Sequence, residues 1–317
     1  EAEAVGSLTA EALADTVTAR PQAYLINNAT TGVDVIHARG FFGQNSVVAV
    51  LDSGIRPGFP HLTLDNSVIG GENFVPDGNG FSHINNNGHG TFVAGMISAN
   101  VVFNFAAHPW RAAIANECPQ CITPEGLFTV FGSAPLASIY AIRVLNTQGS
   151  GAQSWILAGM ERVIDLRVAY DAGQTPVPNP DGSFNALPIR VANMSLGGTT
   201  LFPGRDIEDE MTKAFLDHDI LLVVAAGNQG PGGATIGSPG SGVSSLTVGA
   251  SSSAVHERIL RNIQFGVVGA GALYRPFDGT MMAEFSSRGP TADGRVAPHI
   301  VANGFASFGA GTGAPGS

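Results

Sequence analysis

The sequence predicts an α/β fold: a doubly wound, mostly parallel sheet with helices on both faces. The first observation is that VVAVLD at Val47–Asp52 and SIYAIRVL at residues 138–145 are apolar, β-branched runs without polar alternation. Such strands are buried on both faces of a parallel sheet. The second is that residues 154–170, before the next strand, carry apolar side chains at helical spacing. Alternation of strand and helix is typical of parallel sheets with right-handed crossovers.

Composition indicates one compact domain and argues against several classes of function. The 317 residues include 42 glycines and only 13% charged residues, which is typical of a loop-rich globular protein. The net charge of -10 and the 15 scattered Lys and Arg residues argue against a nucleic-acid partner, because phosphate binding needs clustered positive charge. No apolar run reaches the roughly 18 residues of a membrane helix. We therefore expect a soluble protein with no nucleic-acid or membrane partner.

The chain begins with EAEA, residues 1–4, which reads as the expression scar of a secretion leader and is excluded from the predicted fold. Helical spacing predicts short helices at residues 11–18 and 33–39. Asn28 starts a glycosylation sequon, which matters only where the asparagine is exposed. After the first strand, residues 56–87 are rich in Gly, Pro and Asn and are predicted to form a surface loop.

The segment after that loop places a histidine between two glycines. His89 lies between Gly88 and Gly90, and apolar residues recur at helical spacing from Thr91 onward, which predicts His89 at or just before a helix N-terminus. The positive end of that helix slightly disfavours the imidazolium. A histidine that acts as a general base needs exposure to substrate and an acceptor for one ring nitrogen. By itself the pattern suits a turn or cap residue equally well.

The only two cysteines, Cys118 and Cys121, form a CPQC sequence inside a long excursion at residues 100–133. Prolines 119 and 124 break regular structure there, so we interpret the pair as a local disulfide, in keeping with an extracellular setting. A redox motif would normally open a helix after a strand. A zinc site is a further alternative, with His108 as the nearest extra ligand, but two thiolates supply only half of a tetrahedral shell.

The second half of the chain continues the alternation of strand and helix. In order, the sequence predicts a strand, a helix and two further strands at residues 190–198, 206–217, 221–228 and 244–251. The acidic start of the helix, Glu208, Asp209 and Glu210, is interpreted as compensation of the helix dipole rather than as a metal site. We expect residues 100–133 and 171–187 to be surface loops rather than lids.

Polar side chains stand where three of the predicted strands end. Asp52 ends the first strand, Ser195 the third and Asn228 the fourth, and His89 opens a helix nearby. Ligand sites in such sheets lie at the carboxyl ends of the strands. An aspartate followed in the chain by a histidine suits a triad in which the carboxylate orients an imidazole that deprotonates a serine. The Asn228 amide could then stabilise the oxyanion that develops in acyl transfer.

Six segments resemble the successive blocks of the subtilisin-like serine proteases: VVAVLDSGI, NNGHGTFVAGMIS, APLASIYAIRVL, NMSLGG, VVAAGNQG and FSSRGPTADGR. They span residues 47–304 in the family's order. The resemblance implies a secreted serine endopeptidase that acts on polypeptides and needs no cofactor for its chemistry. It assigns Asp52 and His89 to the catalytic triad and Asn228 to the oxyanion hole.

The resemblance also implies two segments that bind substrate. Ser195, Leu196, Gly197 and Gly198 match the strand that pairs with an extended peptide, which would be a form of strand addition. Ala225, Ala226 and Gly227 match a wall of the pocket for the side chain that precedes the scissile bond.

One block of the family pattern, the one that carries the nucleophilic serine and opens a central helix, is missing from residues 1–317. In the faintly similar stretch at residues 311–315, Gly313 stands where a serine should be. We therefore expect residues 5–317 to form an incomplete catalytic domain, completed by a companion C-terminal fragment that carries the serine. Without the central helix, one face of the sheet would be exposed, at a cost comparable to the whole stability of a domain.

Three further expectations follow from departures and alternatives. Structural calcium occurs in the family, but His61 stands where the family commonly has a ligand aspartate, so the position of any calcium is unknown. The second reading of function is a protease-like binding or scaffold protein without catalytic activity. Nucleotide binding is disfavoured, because LDSGIRPG after the first strand lacks the G-x-G-x-x-G spacing.

Overall fold

A computed structural model describes residues 3–6, 9, 11–13, 26–57, 67–84 and 87–307 of the chain. The strands are β1 Glu3–Gly6, β2 Val47–Asp52, β3 Val68–Asn73, β4 Asn100–Asn104, β5 Leu127–Phe131, β6 Ser138–Arg143, β7 Ile189–Met194, β8 Leu221–Ala225, β9 Ser245–Ser253, β10 Thr280–Met282 and β11 Ile300–Phe305. The α-helices are α1 Ile26–Thr31, α2 Val33–His37, α3 His89–Ser98, α4 Arg111–Glu117, α5 Gln153–Asp171, α6 Ile207–Asp217, α7 Ala254–Phe265 and α8 Gly271–Tyr274. In this part of the chain, no helix has the length and apolar character of a membrane span.

The main sheet has the strand order β10-β9-β8-β7-β2-β6-β3, and β11 also pairs with β9. Every pairing is parallel except that of β10 with β9. The predicted doubly wound, mostly parallel sheet is confirmed. All six residues of β2 are buried, because β6 and β7 flank it and helices cover both faces.

The two faces of the sheet are covered in different ways. Helices α5 and α6 cover one face, where their side chains form the largest core cluster with β2, β6, β7 and β8. On the other face, α3 packs with Ala94 against Val48 and Val50 of β2 and Ile139 of β6. Because the α3 side chains at this contact are small, the helix that begins with His89 lies close to the end of β2.

A second, antiparallel sheet of order β1-β4-β5 corrects the prediction for residues 100–133. This segment is not a plain surface loop: β4, α4 and β5 build a separate core around Phe128, Phe131 and Ile114, which Ile259 of α7 completes. The prediction missed α7. Glu3 and Ala4 belong to the stretch that the sequence analysis excludes, yet they pair with Asn104 and Phe103.

Strand β3 lies inside the predicted loop at residues 56–87, so that prediction is wrong over Val68–Asn73. The strand contains two glycines, which is why its sequence was read as a loop. A Cβ atom on Gly70 would lie 2.2 Å from the Gly182 carbonyl oxygen, and one on Gly71 would lie 2.4 Å from the Ala141 carbonyl oxygen. The glycines are therefore required by close backbone packing rather than by a turn.

The sequon asparagine is buried. Asn28 is 3% exposed, and its side-chain amide donates to the carbonyl oxygen of Gly132 at 3.4 Å. Glycosylation of the sequon requires an exposed asparagine, and Asn28 is not exposed in this fold.

Candidate active site

Asp52 is the last residue of β2, and its side chain is fully buried. Its Oδ1 atom accepts a hydrogen bond from the Ser53 backbone N–H at 2.6 Å and another from Nδ1 of His89 at 2.8 Å. The Oδ2 atom has no hydrogen-bond partner among the residues that the structure describes. Burial of a carboxylate costs free energy unless the group is hydrogen bonded. The contact with His89 is the main interaction here that offsets this cost.

His89 is the first residue of α3, as the sequence predicts. Its backbone N–H donates to Asn87 Oδ1 at 3.1 Å, and the N–H of Gly90 donates to Ser53 Oγ at 3.1 Å. A Cβ atom on Gly90 would lie 2.4 Å from the Gly54 carbonyl oxygen. The absence of a side chain at Gly90 therefore lets the start of α3 press against the turn that follows β2.

The hydrogen bond to Asp52 sets the protonation of the His89 ring. It raises the pKa of His89, and this effect outweighs the desolvation that lowers it. The helix N-terminus, which we expected to disfavour the imidazolium slightly, is not the dominant influence. Since Asp52 only accepts, Nδ1 carries the proton in the neutral ring, and Nε2 is the basic nitrogen. The His89 side chain is 49% exposed.

Asn228 lies on the same edge of the sheet. It follows β8, which is separated from β2 only by β7, so the ends of these parallel strands are about 10 Å apart. The Asn228 side chain is exposed and makes no hydrogen bond to any residue in the described ranges, while its backbone N–H donates to Gln229 Oε1 at 3.0 Å. Its amide is therefore available to a group bound at this edge.

The predicted substrate-pairing segment begins where β7 ends, between Asp52 and Asn228. Ser195 Oγ accepts a hydrogen bond from the Asn193 side chain at 3.1 Å. Gly198 exchanges two backbone hydrogen bonds of 2.9 Å with Ser238. The backbone donor of Gly198 is thus already used within the protein, which leaves Ser195, Leu196 and Gly197 for pairing with a peptide.

The three residues assigned to the pocket wall have different environments. Ala225 is exposed and Gly227 is partly exposed, but Ala226 is 2% exposed and packs in a small cluster with Ile236 and Ala297. Of the three predicted residues, only Ala225 and Gly227 therefore have surface that a ligand could reach.

Cys118 and Cys121 are joined by a disulfide with a Cα–Cα distance of 5.3 Å. Both are buried in the core of the second sheet. His108, the alternative zinc ligand, accepts a hydrogen bond from the Trp110 backbone at its Nδ1 atom and packs against the Phe105 ring. The disulfide therefore closes a four-residue loop directly after α4.

The acidic cluster lies in the first turn of α6, as predicted, but one of its residues has a further role. Asp209 is fully buried, and its Oδ2 atom accepts hydrogen bonds from the Gly204 N–H and the Ser241 hydroxyl, both at 2.7 Å. Burial raises the pKa of Asp209. Asp209 is therefore a buried tether between two loops, whereas compensation of the helix dipole remains an adequate role for Glu208 and Glu210.

The described residues show no acidic or histidine cluster that would mark a calcium site. Throughout the described ranges, no group of three or more His, Cys, Asp and Glu side chains is arranged to hold a metal ion. His61, the departure noted in the sequence, lies outside those ranges. The expectation of structural calcium stays a prediction, and no chemical step below uses it.

Sequence reasoning missed two residues beside Asn228. Ser287 is fully buried and Gln229 is adjacent to Asn228, and the two side chains hydrogen bond to each other at 3.1 Å. Ser287 lies in the FSSRGP segment, which was recognised only as a family block. A polar residue in such a block, with no assigned role, could have indicated a buried side chain with hydrogen-bond partners.

Comparison with known proteins identifies relatives of this chain. A model of the subtilase family matches residues 43–314. Serine protease AprX of Bacillus subtilis (strain 168) is 31% identical over 265 residues, which cover 83% of this chain and 47% of AprX. Subtilisin E of the same strain is 34% identical over 217 residues, 68% of this chain and 43% of that protein. The chain thus spans less than half the length of these two relatives.

A relative from a different organism has a comparable sequence identity to this chain. Pyrolysin of Pyrococcus furiosus is 33% identical over 235 residues, which cover 70% of this chain and 15% of pyrolysin.

Proposed function

The chain belongs to the subtilase family, and we propose that it is part of a serine endopeptidase that hydrolyses peptide bonds by Asp-His-Ser acyl transfer. The observation that carries the proposal is the 2.8 Å hydrogen bond from His89 to the buried Asp52. It fixes the tautomer that leaves Nε2 basic on a side chain that is half exposed.

The chemistry uses His89 first as a base and then as an acid. Nε2 accepts the proton of a serine hydroxyl as the serine oxygen attacks the peptide carbonyl carbon. The resulting imidazolium is stabilised by the Asp52 carboxylate, and the oxyanion accepts a hydrogen bond from the Asn228 amide. Nε2 then returns the proton to the departing amine. A water molecule, deprotonated by the same nitrogen, attacks the acyl-enzyme, and Nε2 returns that proton to the serine oxygen as the new carboxyl group leaves.

The nucleophile in this proposal is a serine outside residues 1–317, on a companion segment that packs against the sheet. Two observations support it. Within the part of the chain that is described, no serine hydroxyl is hydrogen bonded to Nε2 of His89. In addition, one face of β8, β9 and β11 is apolar and incompletely covered: Leu221, Ala225 and Ile300 are exposed there, and Val223 and Leu246 are partly exposed.

This partly bare face lies beside α3, the helix that begins with His89. Register pairs Val191 of β7 with Val48 on one side and with Leu221 on the other, and Val48 packs beneath α3. A helix laid on the exposed face would therefore bury apolar area next to His89. At about 25 cal/mol per Å2, such burial is a strong driving force for association.

Substrate binding in this proposal follows the same edge. An extended peptide pairs with the backbone of Ser195, Leu196 and Gly197, which gives affinity with little demand on sequence. Ala225 and Gly227 line the pocket for the side chain before the scissile bond. We also propose that the protein acts outside the cell, which the Cys118–Cys121 disulfide supports.

A fluorophosphonate probe combined with intact mass spectrometry tests the function. We expect the purified protein to be labelled on a serine beyond residue 317, on a separate fragment, and to lose labelling on His89→Ala substitution. His218→Ala, on the surface at the end of α6, is the matched control and should label normally. Folded protein that never labels would favour the scaffold reading, and labelling of a serine within residues 1–317 would contradict the proposed nucleophile.

A further inference from the structure

We propose that Ser287 is a positioning residue that, together with Gln229, holds Asn228 in the orientation needed to stabilise the oxyanion. The inference rests on the proposed endopeptidase function. Ser287 lies about sixty residues after Asn228 in the chain and is fully buried. It touches neither substrate nor the reacting atoms in the chemistry above, so its role is indirect.

Ser287 bonds the residues on both sides of Asn228. Its backbone N–H donates to the Gly227 carbonyl oxygen at 2.9 Å. Its Oγ atom accepts from the Gln229 backbone N–H at 3.1 Å and donates to Gln229 Oε1 at 3.1 Å. The Ser287 hydroxyl thus bonds to Gln229 both as donor and as acceptor, and the Ser287 backbone bonds to Gly227.

Gln229 closes the network around Asn228. Besides the Ser287 hydroxyl, its Oε1 atom accepts the Asn228 backbone N–H at 3.0 Å. The Asn228 carboxamide itself is exposed and bonds to no residue that the structure describes. Because no side-chain contact holds that amide, the network acts on its position through the backbone of Asn228.

Packing at Gly227 shows how closely the parts of this network approach each other. Gly227 has φ of 108°, and an added Cβ would lie 2.6 Å from Gln229 Oε1 and 2.8 Å from Ser287 Oγ. At the other end of the segment, the Gly230 N–H donates to the Phe285 carbonyl oxygen at 2.8 Å. The segment that carries Asn228 is therefore held at one end by Ser287 and at the other by Phe285.

This geometry affects the transition state more than the ground state. A donor in an oxyanion hole contributes to catalysis only when it lies within hydrogen-bond distance of the developing charge, and loss of one such donor costs about 100- to 1000-fold in kcat. Binding of the unreacted peptide depends on other residues of the edge, namely Ser195 to Gly197. A displaced Asn228 should therefore lower kcat and leave KM nearly unchanged.

The first test is Ser287→Ala in the complete protein, with kcat based on active sites titrated by a fluorophosphonate. We expect kcat to fall by about 10- to 100-fold, part of the full donor loss, with KM within about twofold of the parent. The matched control is Ser286→Ala, which removes an equally buried hydroxyl that accepts from the Ala250 N–H at 2.9 Å. The Ser286 hydroxyl also donates to the Ser287 carbonyl oxygen at 3.3 Å, but it bonds to none of residues 227–229, so this control should keep kcat within about threefold.

A double-mutant cycle separates positioning from a general loss of structure. In an Asn228→Ala background, Ser287→Ala should lower kcat by no more than about twofold, because the donor that it positions is already gone. Equal losses in both backgrounds, a loss expressed mainly in KM, or the same loss in Ser286→Ala would overturn the inference.

Gln229→Met keeps the inference testable where Ser287→Ala fails to fold. Gln229 is exposed, and methionine preserves its length while removing the Oε1 acceptor. We expect the kcat loss of Ser287→Ala to be reproduced, and unchanged kcat would overturn the inference. Parent protein that never labels with the probe would overturn the endopeptidase function itself, whereas labelled parent with unaffected variants would overturn only the role of Ser287.

Discussion

The Oδ1 atom of Asp52, a fully buried side chain, lies 2.8 Å from Nδ1 of His89, whose side chain is half exposed. One end of this contact is shielded from water and the other faces it. The carboxylate holds Nδ1 of the ring, which leaves Nε2 as the nitrogen that is free to accept a proton. Its consequences for pH dependence follow directly.

Replacing Asp52 with Asn should lower activity and move its pH dependence to lower pH. The hydrogen bond to Asp52 is the largest influence that raises the pKa of His89 above its ordinary value of 6.5. A general base must be neutral, so the acid limb of kcat/KM in the parent should lie above that value. Asn removes the charge, so the limb should shift downward while kcat falls on the order of 10³- to 10⁴-fold. Peptide hydrolysis measured across pH checks both effects.

The control for that variant is Asp165→Asn, which removes an exposed carboxylate from α5. It should change neither the limb nor the rate. The same pKa shift has a sign for stability: the stabilisation from His89 is present below its unfolded pKa near 6.5 and is lost as pH rises through the higher folded pKa. An acid limb that stays in place in Asp52→Asn would contradict the assignment of His89 as the base.

Gly90→Ala should impair the site through a steric contact. The added Cβ would lie 2.4 Å from the Gly54 carbonyl oxygen and 3.0 Å from Oδ1 of Asp52. Because backbone blocks its position, α3 must shift, and the Asp52–His89 contact should lengthen. We expect kcat/KM to fall by at least about tenfold, since small displacements of catalytic groups are costly. Gly80→Ala, which meets no atom within 4 Å, is the control and should retain full activity.

Asp209→Ala should destabilise the fold. It removes the acceptor of the Gly204 N–H and of the buried Ser241 hydroxyl, at a cost of about 2–4 kcal/mol for the groups left unsatisfied. Glu210→Ala, which loses only an exposed pair with Lys213, should cost less than about 1 kcal/mol. Urea unfolding compares the two variants. Equal and small losses would show that the buried hydrogen bonds of Asp209 contribute little to stability.

Burial of His256 predicts a loss of stability in acid. The side chain is fully buried, Asn303 is its hydrogen-bond partner, and desolvation lowers its pKa to about 4. Between pH 6.5 and about 4 the unfolded chain binds a proton that the folded protein does not, so stability falls by about 3 kcal/mol over that range. His256→Gln should flatten the dependence of Tm on pH there. An equally steep dependence in this variant would contradict the prediction.

The residues beside Asn228 show why part of the site was beyond prediction from sequence. Asp52, His89 and Asn228 each stand at the end of a strand or the start of a helix, and both positions are visible in local patterns of apolar residues. Ser287 carries no such signal, because its partners Gly227 and Gln229 are remote in the chain. The burial of Asp209 could not be predicted for the same reason, because its partner Ser241 is also remote in the chain.

The sequence by itself determined the alternation of strands and helices, the parallel sheet and the edge at which polar residues gather, because apolar periodicity and strand ends are local properties. Only the tertiary structure decided that Val68–Asn73 is a strand, that residues 100–133 and α7 share a second core, and that Ala226 is buried against Ile236 and Ala297. These features depend on which distant segments pack together. Burial and hydrogen-bond partners arise from that packing, and local composition does not encode them.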